Sequence, residues 1–154
     1  MTTITAFSDS HGFELPSKLV EVANESNLVF FLGDGAFSLG DILLHKGFYG
    51  VKGNCDPAGF EQEQVVEAEK VRILLTHGDK YGVKYDLTSL YMRALELNCQ
   101  LVLYGHTHFG AVDEYAGVTL VNPGAISSCR NGAPSYAYIV VSNGKFVVKI
   151  VNIT

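Results

Sequence analysis

Five short apolar runs of this chain each end in a residue able to bind a divalent metal ion. Ile4–Phe7 leads into Ser8-Asp9-Ser10-His11, and Leu28–Leu32 into Gly33-Asp34. Phe48–Val51 leads through Lys52 and Gly53 into Asn54. Val71–Thr76 leads into His77-Gly78, and Leu101–Tyr104 into Gly105-His106-Thr107-His108. Of the 5 histidines, only His45 lies outside these segments. A single Asp or His after a strand is an ordinary turn former, but five such coincidences in order point to one shared centre. Carboxylate, imidazole and amide oxygen together suit first-row divalent ions. Manganese is the first expectation, with Fe, Zn, Co or Ni as alternatives.

Local spacing fits this reading. Asp9/His11 and His106/His108 are each two residues apart, so extended backbone would point both members the same way. Glycines 33, 53, 78 and 105 would let the chain turn sharply beside the ligands. In open α/β sheets, ligands gather at the carboxyl ends of strands, and neighbouring strands would bring all seven donors to one edge.

The elements that must deliver them are legible as short apolar runs between polar or Gly-rich turns. Strands are expected at Ile4–Phe7, Leu28–Leu32, Phe48–Val51, Gln64–Glu69, Val71–Thr76 and Leu101–Tyr104. Helical spacing marks Leu15–Ala23 and Tyr85–Leu97, with a short helix at Leu39–His45. From Ala111 onward the chain reads as antiparallel strands, Ala111–Tyr115, Val118–Val121, Tyr136–Val141 and Phe146–Val151. This alternation predicts an α/β fold, a mixed β sandwich of two sheets flanked by helices. The acidic stretch Glu61, Glu63, Glu67 and Glu69 reads as a solvated strand face, and His45 as a residue at a helix end. Tyr81 and Tyr85 read as packing residues before a substrate entrance.

Bulk properties narrow the function. The 154 residues carry no repeat or Pro/Ser-rich linker, which predicts a single domain over 1–154. A net charge of −5 supplies no basic footprint, so duplex nucleic acid is not an expected partner. No apolar run approaches the ~18 residues of a membrane span, and the first residues, Met1-Thr2-Thr3-Ile4-Thr5, lack signal-peptide character. Cys55, Cys99 and Cys129 are odd in number and widely spaced, which predicts a reduced, cytoplasmic protein.

Taken in order, Asp9-x-His11, Gly33-Asp34, Gly53-Asn54, His77 and Gly105-His106-Thr107-His108 resemble the five signature blocks of the calcineurin-like metallophosphoesterases. The resemblance runs from residue 8 to about residue 130. Gly53-Asn54-Cys55-Asp56, Leu75-Thr76-His77-Gly78-Asp79 and Asn122-Pro123-Gly124-Ala125 are similar to its small microbial phosphodiesterase branch. It implies an α/β/β/α sandwich and two divalent metal ions. Asp9, His11, Asp34 and His108 would hold one, and Asp34, Asn54, His77 and His106 the other, with Asp34 bridging. Two ions ~3.5–4 Å apart acidify a bridging water and neutralise charge during in-line displacement at phosphorus.

On this resemblance Asp34, Asn54 and His77 carry the catalysis and Asn54 contacts the phosphate, while Arg130 reads equally as a phosphate contact or as a solvated or salt-bridged arginine. The Asn54 oxygen binds metal without adding charge while its amide N–H donates. The expected substrate is a small phosphate ester, a nucleotide among the candidates, cleaved as a diester, and a homo-oligomer is compatible. The chain departs from larger relatives at Cys55, where they carry a proton-donating His. A small, usually buried residue type, Cys55 reads as packing. Asp79 replaces a second His and reads equally as a ligand-supporting or a loop carboxylate. The rival reading is a protein-binding scaffold of the same fold, as in the retromer subunit. Intact ligand positions weigh against it, and acidic charge weighs against a nuclease.

Overall fold

Successive side chains along the central strands face opposite core clusters, and this sets the layers. The computed structural model describes residues 1–127 and 132–153. In chain order these form β1 (Thr2–Phe7), α1 (Ser17–Glu25), β2 (Leu28–Phe31), β3 (Phe48–Gly50), β4 (Glu63–Ala68) and β5 (Val71–Thr76). Then come α2 (Thr88–Glu96), β6 (Leu101–Leu103), β7 (Ala111–Tyr115), β8 (Val118–Asn122), β9 (Ser135–Ser142) and β10 (Lys145–Asn152). Two five-stranded sheets result, ordered β10-β9-β1-β2-β3 and β4-β5-β6-β8-β7.

On β1, Ile4 and Ala6 point between the sheets, where they meet Phe30, Ile73, Leu75, Leu101 and Leu103. Phe7 points the other way, onto Leu19 and Ala23 of α1. On the second sheet Leu74 and Val102 turn outward onto Leu90 and Ala94 of α2. Period-two facing on strands and helical spacing on α1 and α2 therefore build four layers, α/β/β/α. Strands β1, β2 and β3 run parallel, as do β5, β6 and β8. Their carboxyl ends carry the candidate ligands.

Several expectations need correction. The tail is not wholly antiparallel: β8 pairs antiparallel with β7 but parallel with β6, and β9 and β10 cross to the first sheet. Val118 and Leu120 pack toward α2 while Val121 packs between the sheets, so β8 is buried on both faces as an interior strand must be. The helix expected from Tyr85 begins only at Thr88, because the Tyr85 and Asp86 N–H groups bond back to the Gly82 carbonyl. Asp86 Oδ1 then accepts the Thr88 N–H at 3.0 Å. The segment after Asp34 forms two short 3₁₀ turns, Ala36–Ser38 and Gly40–Leu44. His45 ends the second, accepting the Gly47 N–H on Nδ1 and pairing through Nε2 with the Ser26 carbonyl.

The acidic face is not uniformly solvated either. Glu63 is half-buried, accepting from the Arg93 guanidinium of α2 (Nε 3.0 Å) and from the Tyr81 hydroxyl. Tyr81 thus packs, whereas Tyr85 is 92% exposed.

Candidate metal centre

Five of the seven expected ligands sit on left-handed backbone: Asp9 (φ 57°), His11 (47°), Asp34 (63°), His106 (74°) and His108 (60°). The extended backbone expected at these pairs is therefore absent. Non-glycine residues take this conformation at a cost, and it clusters where surrounding structure fixes side chains for function. The surroundings do so here. The Asp9 N–H bonds to the Gly33 carbonyl and the His11 N–H to the Asp34 carbonyl, each at 2.9 Å. The Asp9 carbonyl accepts Ser127 N–H (3.1 Å) and Ser127 Oγ–H (2.7 Å).

These bends bring six of the seven side chains together. Asp9 Oδ1 lies 3.3 Å from His108 Nε2, 3.5 Å from His11 Nε2 and 3.9 Å from His77 Nε2. Asp34 Oδ2 lies 3.2 Å from His77 Nε2 and 3.8 Å from His11 Nε2. His106 Nδ1 is 3.2 Å from His77 Nε2, and the Nε2 atoms of His11 and His108 are 3.1 Å apart. Ligand atoms cluster as Asp9–His11–His108, as Asp34–His77–His106, and as His11–Asp34–Cys55. His106 and His108, two residues apart in sequence, thus join different clusters, and Asp34 is within reach of both His77 and His11. Asn54 ends the β3 loop beside this group, but its side-chain amide faces Cys55 Sγ at 3.5 Å. Arg130, a candidate phosphate contact, lies outside the described residues.

The donor set fits cations. Asp9 is fully buried, and its Oδ1 has no hydrogen-bond partner among the described residues. Its other oxygen accepts Ser8 Oγ–H (2.6 Å) and the His106 N–H (3.1 Å). A buried carboxylate oxygen left bare is costly, and a bound cation removes that cost. His77 Nδ1 pairs with the Leu32 carbonyl at 2.7 Å, so Nδ1 carries a proton and Nε2, 3.2 Å from Asp34 Oδ2, offers its lone pair to a cation or, in the protonated ring, donates to Asp34. Burial tends to raise the Asp34 carboxyl, but His77, the Cys55 N–H and His11 outweigh it and hold the group at about 2. Burial likewise opposes a charged His77, yet Asp34 and Asp9 carry it above the ordinary imidazole value. His106 is pushed down by burial and by the charges of His77 and Lys84.

The sequence reading missed the residues that hold this frame. Asp56 is buried and its carboxylate accepts four backbone N–H groups, from Asp34 (2.8 Å), Gly35 (2.8 Å), Ala36 (2.9 Å) and Gly53 (2.9 Å). The Cys55 N–H donates to Asp34 Oδ1 at 2.7 Å. Asn122 Nδ2 donates to the Gly105 carbonyl (3.1 Å) and Thr107 Oγ1 (2.9 Å), holding the loop of His106 and His108. Asp56 and Asn122 both stand in the quoted motifs, and that was the available signal. Gly53 is required by space rather than by a sharp turn, since a Cβ there would meet Asp34 Oδ1 at 2.1 Å. Cys55 is exposed beside the ligands, not packed in the core. Burial of its sulfur and the Asp34 charge push its thiol up. Asp79 opens a 3₁₀ turn after Gly78, and its charge reaches His106.

The family profile of the calcineurin-like phosphoesterase superfamily domain matches residues 2–144. The chain is 33% identical over 150 residues to the probable metallophosphoesterase YsnB of Bacillus subtilis, covering 95% of this chain and 88% of that protein. It is 32% identical over 120 residues to the phosphodiesterase YfcE of Escherichia coli, covering 71% of this chain and 60% of that protein. The structure of Vacuolar Protein Sorting 29 from Cryptosporidium parvum superposes with a TM-score of 0.80 at 24% identity, over 97% of this chain and 96% of that one. That last likeness concerns the fold alone.

Proposed function

Because this chain belongs to the calcineurin-like phosphoesterase superfamily, we propose that its seven strand-end residues hold two divalent metal ions and hydrolyse a small phosphodiester. The observation that carries this reading is the buried, unpartnered Asp9 Oδ1, with three imidazole Nε2 atoms 3.3 to 3.9 Å away. Asp9, His11 and His108 would hold one ion and His77, His106 and Asn54 the other, with Asp34 shared. When bound, such ions supply the positive charge that polarises phosphoryl oxygens and acidifies a water for in-line attack. Manganese is the first choice of metal, and we read residues 1–154 as one catalytic domain acting in the cytoplasm.

The chain's own groups do the positioning. Leu32 fixes the His77 tautomer through its carbonyl, and Asp56 fixes the Asp34 loop. The Asn54 amide turns from Cys55 to donate to a phosphoryl oxygen. Cys55, with its thiol pushed up, is a weak proton donor for a departing alkoxide.

The test is hydrolysis of bis(4-nitrophenyl) phosphate with added Mn2+. Activity abolished by EDTA, and reduced at least ~100-fold by His77→Ala, is expected. A metal-loaded protein inert across broad ester panels, but holding a stable protein partner, would replace the enzyme by a scaffold.

A further inference from the structure

A cavity of about 520 Å3 opens at the loop that carries His106 and His108, lined by Val83, Lys84, Leu87, Tyr104, Thr107 and Phe109, with Asp113 on its β7 wall. We propose that this cavity is the subsite for the nucleoside arm of the substrate. The inference rests on the phosphodiesterase reading and adds to it a substrate class and the residues that select it.

Position comes first. Thr107 lies between His106 and His108, and Tyr104 precedes their loop, so the cavity abuts the loop that carries both histidines. Lys84 and Asp113 both line it, one cationic and one anionic group on the same cavity. Its volume is ordinary for a small-molecule site.

The lining then selects the occupant. Phe109 is 49% exposed, and Val83 and Leu87 add apolar wall. An aromatic side chain of this kind stacks on a flat ring, and a nucleobase has such a face. A simple hydrocarbon ring would leave Asp113 and Lys84 with nothing to bind. A nucleoside uses both, its exocyclic amino group donating to the Asp113 carboxylate and its phosphate and sugar oxygens accepting from the Lys84 ammonium. Lys84 is exposed and forms no ion pair among the described residues, so it is available for that contact.

The test is calorimetric titration of the metal-loaded protein with adenosine 5′-monophosphate, phenyl phosphate and methyl phosphate. The nucleotide should bind at least roughly tenfold more tightly than methyl phosphate, as one stacked base allows. Phe109→Ala and Asp113→Ala should shrink that preference toward unity while methyl phosphate affinity stays within about twofold, whereas Lys84→Ala weakens all three ligands. Metal uptake by each variant reports that the fold is intact. Equal affinity for nucleotide and methyl phosphate overturns the proposal, as does a preference that survives both Phe109→Ala and Asp113→Ala. Phenyl phosphate binding as tightly as the nucleotide overturns the nucleoside assignment. Because these are binding measurements, a nucleotide preference in a protein that hydrolyses no ester keeps the subsite and removes only the hydrolase.

Discussion

Asp56 holds Asp34 by the backbone rather than by the side chain: its Oδ2 accepts the Asp34 N–H at 2.8 Å and the Gly53 N–H at 2.9 Å. One carboxylate thereby ties the loop after β2 to the loop after β3, and its other oxygen takes the N–H groups of Gly35 and Ala36. Burial alone would raise the Asp56 carboxyl, but the four donors hold it below the ordinary range. The left-handed Asp34 backbone is fixed by this clamp, which leaves the Asp34 side chain free to face the histidines.

Asp56→Ala should therefore destabilise the protein by roughly 3 kcal/mol or more, because buried N–H groups lose their acceptor. Asp56→Asn keeps one acceptor oxygen but sets its NH2 against the other two N–H donors, so it should destabilise the protein to a similar extent. Urea unfolding measures both, and metal titration should show weakened uptake in each. A native urea midpoint for Asp56→Ala would remove the clamp from the account.

Sharing of Asp34 gives a second expectation. Asp34→Asn should weaken both ions together, whereas His11→Ala should release mainly the one on Asp9 and His108. Metal content after limited dialysis distinguishes the two. Equal loss of both ions in His11→Ala, with Asp34→Asn harmless, would contradict the division into clusters.

Glu63 should make stability depend on pH. Burial raises its carboxyl, but Arg93 and Tyr81 outweigh that and depress it below 4.5. A group depressed in the folded state stabilises fully above its unfolded value and loses that contribution as pH falls through the folded one. Glu63→Gln should thus cost on the order of 1 kcal/mol at pH 7, a modest figure because the pair is partly solvated. The gap between the two proteins should close below about pH 4.5, tracked by thermal unfolding across pH. A gap unchanged from pH 7 to pH 3 would mean that Glu63 acts through packing alone.

On the resemblance drawn from the sequence, Cys55 stands where a proton-donating His is expected. A positioned general acid contributes ~10²–10⁴-fold when the leaving group is basic. Aryl esters should accordingly be cleaved far faster than alkyl esters, and diesters in preference to monoesters. Cys55→His should raise alkyl turnover more than aryl turnover. A flat dependence on leaving-group pKa in the native enzyme, with chemistry rate-limiting, would place the proton donor elsewhere.

The layers were legible because apolar alternation and helical spacing are local properties that burial enforces. The candidate ligand positions stand out because each follows a buried run, and six of their side chains converge. What could not be read was non-local. No local pattern tells that Asp9 and His106 bend into left-handed backbone, since the Gly33 carbonyl that holds Asp9 is remote in sequence. Asp56 looks like any loop carboxylate until four amides converge on it. Glu63 looked solvated because Arg93, 30 residues away, is not visible from β4. Cys55 was assigned to packing from residue type alone, and loop geometry put it at the surface.

The most direct test of the two-ion centre is anomalous diffraction from crystals grown with Mn2+. The account predicts two peaks per chain, ~3.5–4 Å apart, with Asp34 touching both, Asp9, His11 and His108 around one, and Asn54, His77 and His106 around the other. A single peak, two peaks of which one does not touch Asp34, or density away from these side chains would contradict it.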